Sequence, residues 1–334
     1  MRHHATHALP LRIGMLAAIL VLALALEFTS PRSIEAAVGI STATGGGAIS
    51  ADTSAASPSA AYTALSGPIL TEGSSGDFGT GGTFILVIPA GFTFQATAAS
   101  VTVSVSKAAG PGTCPLTVNG AGSTKVTPTS SQISVAITGS ASSGATRCRL
   151  SFAGIAVRPS VGAPLASGSI TGAGTVAFAG LGRTTNLGTL TEVAGTQSAF
   201  RLTAASASLT VGATAQLTIR AVDQFANTVT SVTGNHNLTF AGLSSSSGGP
   251  ATVTNRLETA VELGYSTSIS FTAGASTAGG VLVPRKKESA VLTVSEGVIA
   301  SSGTGGQSLA LSITPATVVP SVTVADKVYD GTTA

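Results

Sequence analysis

The sequence predicts an all-β protein built from tandem antiparallel β-sandwiches behind an N-terminal signal helix. Three observations predict it: apolar residues recur with a period of two in short runs, Gly/Ser/Thr-rich breaks separate those runs, and the composition is nearly uncharged. Charged residues make up 9% of the 334 and hydrophobic ones 43%, against roughly 25% charged in ordinary soluble domains. A formal charge of +3 with no basic stripe argues against a nucleic-acid partner. Low net charge with ample apolar content also excludes intrinsic disorder.

The chain divides into five stretches. Residues 1–36 carry Arg2 and Arg12, then an uncharged apolar run over 13–26 that ends at Glu27. A bilayer span takes about 20 residues, so this run fits the h-region of a signal peptide, with Ala36 or Ala37 as the small residue before the cut. Residues 37–61 form the next stretch, and within it residues 41–60 are almost wholly Ser, Thr, Ala and Gly, with one Pro and no period, which predicts a flexible leader or a weak edge strand.

Residues 62–194 predict a first β-sandwich. Residues 83–88 form a near-continuous apolar run, Pro89 and Gly91 break it, and Phe92 and Phe94 resume the alternation. Val101, Val103 and Val105 alternate with Thr102, Ser104 and Ser106, the pattern of a half-buried strand; Ile133, Val135 and Ile137 repeat it. Leu150 and Phe152 begin another strand.

Residues 195–313 predict a second sandwich. In LTIRAVDQFANTVTSVTG (217–234), Leu217, Ile219 and Ala221 alternate with Thr218 and Arg220, and Asp223 to Asn227 supplies turn chemistry. Alternation returns at 237–240, 268–271, 281–283, 291–294 and 309–313, with 200–202 and 209–211 ahead of them. That makes about seven or eight short strands, the number of an immunoglobulin-like sandwich. Residues 314–334 read as a linker bracketed by Pro315 and Pro320, then a last short stretch ending at Ala334.

Three resemblances add to this reading. AVDQFANTVTSVTG, LTFAG and KESAVLTVSEG, in that order over about a third of the chain, resemble the immunoglobulin-like, filamin-type modules of bacterial secreted and surface proteins. LSGPILTEGSSGDFGTG, IPAGFTF and FAGIAVRPSVGAPLASG resemble an all-β module of bacterial extracellular proteins. KVYDGTT (327–333) resembles the opening of the YDG repeat of adhesin-like proteins. Together these resemblances imply the N-terminal part of a longer exported protein, secreted or held at the cell surface, whose modules act as spacers and binding faces.

Catalytic side chains are scarce. His3, His4 and His7 crowd the N-terminus and leave His236 alone in the body, so neither a two-His metal site nor a nucleophile, base and orienter can be assembled. No enzyme, cofactor or metal is expected. Cys114 and Cys148, the 2 cysteines, are expected to form a disulfide in an oxidising compartment, stabilising the fold by about 3 to 4 kcal/mol. Asp77, Asp223 and Asp330 lack the alternating carboxylates of a calcium loop and are read as turn residues. Residues 285–288, Arg-Lys-Lys-Glu, are the one run of charge and are read as a solvated turn, the rival being a dock for an anionic glycan or membrane. GAGTVA (172–177) matches a dinucleotide fingerprint by letter but has no βαβ setting.

The functional expectation is an exported, non-enzymatic structural or adhesive cell-surface protein whose partner is an extracellular protein or glycan, and which meets a membrane only through its signal peptide or an anchor outside this chain. The alternative is the carbohydrate-binding or spacer region of an extracellular polysaccharide-active enzyme. Trp is absent and Tyr numbers 3, which counts against the aromatic stacking such modules use.

Overall fold

The computed structural model describes residues 37–97, 100–317, 319 and 321–323. The expected signal helix and the YDG-like stretch both lie outside the described residues. Apart from a 3-10 turn at Ala51–Thr53, the regular elements are all strands.

The first domain holds β1 (Gly39–Ser41), β2 (Ile49–Ser50), β3 (Thr63–Leu65), β4 (Ile69–Thr71), β5 (Gly82–Val87), β6 (Phe92–Phe94) and β7 (Val101–Ala109). It continues through β8 (Leu116–Val118), β9 (Ser123–Val126), β10 (Gln132–Gly139), β11 (Arg147–Ala153), β12 (Ile155–Pro159), β13 (Ser167–Gly174) and β14 (Gly188–Val193). One sheet runs β1-β4-β11-β7-β9, a second β2-β14-β13-β5-β10-β8, and a small third β3-β12-β6. Alternation places Val101, Val103, Leu150 and Phe152 of the first sheet against Phe84, Leu86, Ile133, Val135 and Ile137 of the second. Phe84 meets Phe152 across that core at 6.0 Å between ring centroids.

Residues 37–61 are not a loose leader; of the two readings it is the weak edge strand that the structure has, with β1 and β2 each at the edge of a sheet. Val38 and Ile49 are buried in the first core, β1 pairs with β4, and β2 pairs in parallel with β14. The stretch hides its role because strands of two or three residues are too short to show a period, and because its small residues pack by closeness. A Cβ on Gly46 would stand 2.5 Å from Leu190 Cδ2.

The second domain holds β15 (Ala199–Ala204), β16 (Ser208–Thr210), β17 (Ala215–Val222), β18 (Gly234–Ala241), β19 (Thr252–Thr254) and β20 (Ala260–Glu262). After these come β21 (Ser266–Thr272), β22 (Ala275–Ala278), β23 (Val281–Val283), β24 (Glu288–Glu296), β25 (Ile299–Ala300) and β26 (Leu309–Thr314). One layer orders β16-β26-β24-β18-β21 and the other β15-β17-β23-β19-β20. The β21–β22 hairpin folds across to β17, and β25 joins β24 to β15, so the ladder closes into a flattened barrel. Phe200, Leu202, Leu217 and Ile219 from one layer fill the core with Phe240, Ile269, Phe271 and Val294 from the other.

Candidate functional site at the joint between the two sandwiches

A cluster of side-chain hydrogen bonds lies where β14 hands over to β15. Its centre is the turn Asp223 to Asn227, which follows β17. Asp223 is fully buried, and its Oδ1 accepts from Phe225 N and Asn227 N, both at 2.9 Å. This is the Asx-turn expected of Asp in such a sequence. Ala226 takes a positive φ of 66° inside the turn, a conformation held by the hydrogen bonds around it.

The turn then reaches into the first domain and the connecting segment. Asp223 Oδ2 accepts from Gly195 N at 2.7 Å, and Asn227 Nδ2 donates to Gly162 O at 2.7 Å. Asp52, in the 3-10 turn, accepts from Thr196 N at 2.7 Å and from Gln224 Nε2 at 2.8 Å. Close approach demands two glycines: a Cβ on Gly162 would lie 2.2 Å from the Phe225 ring, and one on Gly195 would lie 2.2 Å from Asp52 Oδ1. These contacts tie residues far apart in sequence into one hydrogen-bonded joint.

Glu192, near the end of β14, is 3% exposed. Its Oε2 accepts from Ala166 N at 2.9 Å, while Oε1 has no partner. Burial raises its pKa above the usual 4.5, the Ala166 bond opposes that, and the nearby charge of Asp223 adds to it. Asp52 goes the other way. Burial would raise it, but the Thr196 and Gln224 hydrogen bonds together hold it below the usual 3.8.

Cys114 Sγ and Cys148 Sγ lie 2.01 Å apart with a Cα–Cα distance of 5.4 Å. Cys148 is on β11 and Cys114 just precedes β8, so the bridge clamps the first sheet to the second. Beside it, buried Glu72 accepts from Phe78 N, Ser142 Oγ and Cys148 N.

The remaining sequence candidates scatter. Asp77 Oδ2 caps its own turn by accepting from Ser74 N at 2.6 Å. His236 Nδ1 sits 2.9 Å from Glu296 Oε2, with its ring edge-on to Phe271. Residues 172–174 belong to β13, a strand. Arg285, Lys286 and Lys287 are exposed between β23 and β24, while Glu288 accepts from Ser244 N. Asp330 lies outside the described residues. Among the described residues no group of three or more His, Cys, Asp or Glu is placed to hold a metal ion. Sequence reasoning read Asp223 as a turn and missed Asp52, Gly162 and Glu192. The legible signal was the DQFAN turn itself, whereas its partners across the joint carry no pattern.

No family model matches the sequence, and no curated protein matches it significantly. Solved structures overlap it loosely. A beta-glycosidase from Bacteroides vulgatus is 13% identical with a TM-score of 0.26, over 68% of this chain and 24% of that chain. The Escherichia coli adhesin FdeC is 15% identical with a TM-score of 0.26, over 83% of this chain and 63% of that one. The Yersinia pseudotuberculosis adhesin InvE is 12% identical with a TM-score of 0.21, over 84% and 61%. The chain therefore spans less than two thirds of the length of each, and overlaps this loose carry no argument about function.

Proposed function

We propose that this chain is the structural or adhesive part of an exported cell-surface protein, working through reach and surface rather than chemistry. The observation that carries the reading is the joint. Asp52, Asp223 and Asn227 hydrogen-bond across it to Thr196, Gly195 and Gly162, so the two sandwiches are joined by a built contact and not by a bare linker. Support also comes from the setting of His236, the one imidazole outside the N-terminus, whose Nδ1 lies against Glu296 and not against a Ser, Thr or Cys nucleophile. A spacer needs stiffness, a neutral surface and resistance to proteolysis, and short hydrogen-bonded strands with a clamped core supply them.

The test is antibody staining of intact, unpermeabilised cells that produce the full-length protein, with an antibody raised against residues 37–317. Surface staining that is lost after external protease treatment is expected. Signal only after permeabilisation overturns the proposal.

A further inference from the structure

The outward face of β15 and β17 carries charge that the fold does not use. In the antiparallel register of these strands Arg201 stands directly opposite Arg220, and Thr203 opposite Thr218. Leu202, Leu217 and Ile219 alternate with them into the core, so the arginines face outward. Like charges directly opposite one another destabilise a ladder, and only 9% of this chain is charged at all. Neither arginine is neutralised, for the one ion pair among the described residues is His236 with Glu296. Arg201 Nη2 donates to Gln307 Oε1 at 2.7 Å, which aims the guanidinium without cancelling its charge. A depression of about 380 Å³ opens beside the pair, with Thr203 and Thr228 in its wall.

The same face continues along β17. Thr218 and Gln216, the next outward residues, line a groove of about 650 Å³ whose opposite wall includes Arg256 and Glu258 from the β19–β20 hairpin. That hairpin tip is held firmly, since Asn255 Oδ1 accepts from Leu257 N at 2.9 Å and Thr259 N at 3.1 Å. The amide nitrogen of Gln216 is occupied by the carbonyls of Leu217 and Gly279, at 2.9 and 3.0 Å, which turns its oxygen into a free acceptor. Gln216 to Arg220 runs about 14 Å at the rise of a strand, room for several linked sugar rings.

Guanidinium groups recognise carboxylate and sulfate through paired, charge-assisted hydrogen bonds. Hydroxyl and amide groups between them match the alternating donors and acceptors of a polyol. No aromatic ring lines either depression, so neither a stacked base nor a stacked sugar ring is held there, and recognition falls to the charged and hydroxyl groups. We propose that this face binds an acidic oligosaccharide, with its anionic groups on Arg201 and Arg220 and its ring hydroxyls along Thr218, Gln216, Arg256 and Glu258. The proposal deepens the surface reading and rests on it for access to the ligand.

The test is calorimetric titration of the full chain, at low salt, with a tetragalacturonate, a heparin-derived tetrasaccharide and neutral cellotetraose. Saturable binding of at least one acidic probe is expected, weakening as salt is added. Arg201→Gln and Arg220→Gln should each weaken it about tenfold, the order expected for a charge-assisted pair, and should leave the melting temperature unchanged or higher because the like-charge repulsion is relieved. Absence of saturable binding by both acidic probes overturns the proposal. So does equal binding of cellotetraose, or an Arg220→Gln affinity equal to the parent. Failure here leaves staining of intact cells untouched, so it is distinguishable from failure of the surface reading.

Discussion

Glu192 and Asp52 face the same joint and have opposite leanings. For Glu192, burial favours the neutral carboxyl in the folded state and the charge of Asp223 reinforces it. The stability this contributes is fully present below the ordinary value of 4.5 and is lost as pH rises through the raised folded value. Asp52 contributes above its ordinary 3.8, and that contribution is lost as pH falls through the lowered folded value. Glu192→Gln keeps an acceptor for Ala166 N and removes a charge that the folded state disfavours. The variant should therefore melt higher than the parent at neutral pH, with the gain shrinking as the pH is lowered toward the ordinary glutamate range. Thermal melts across a pH series check this, and a variant that gains nothing at neutral pH would show that Glu192 carries no ionisation cost in the fold.

At the scale of elements, legibility in the sequence followed strand length. β7, β10 and β11 are seven to nine residues long, enough for the Val101-Val103 and Ile133-Val135-Ile137 alternations to show which face is buried. β1 and β2 have three and two residues and show nothing, although Val38 and Ile49 beside and within them complete the first core. The arginine pair was hidden for a different reason: Arg201 and Arg220 each read as one outward residue in its own strand, and only the β15–β17 register makes them neighbours. The cysteines were easier, because two cysteines have a single pairing. Their bridge spans 34 residues and joins β11 to the approach to β8, so it closes a large loop and pins two sheets at once. Reduction should lower stability by about 4 kcal/mol on the chain-entropy estimate, read as a shift in the urea midpoint with and without reductant. Alkylation of the native protein without reductant should leave both cysteines unlabelled; labelling of both would remove the bridge.

For the whole molecule the deciding quantity is how firmly one sandwich is held against the other. Each core is closed by its own side chains, since the first draws on residues from Val38 to Leu190 and the second on residues from Phe200 to Ile313. What lies between is a small polar contact, and domain interfaces of that kind yield unless geometry locks them. Here the lock is steric as well as polar, because the Phe225 ring occupies the space that a side chain at position 162 would need. Gly162→Val should therefore push Phe225 away, lengthen the Asn227 to Gly162 hydrogen bond, and free the two sandwiches to move against each other while both cores stay folded. Small-angle X-ray scattering should fit the parent as one rigid shape and the variant as a spread of bent ones. Hydrogen exchange should speed up at residues 195–196 and 223–227 but not in β10 or β17. If the variant scatters as the parent does while those amides exchange faster, the Asp52, Asp223 and Asn227 bonds have opened without changing reach, and the joint is not what holds the two sandwiches in place.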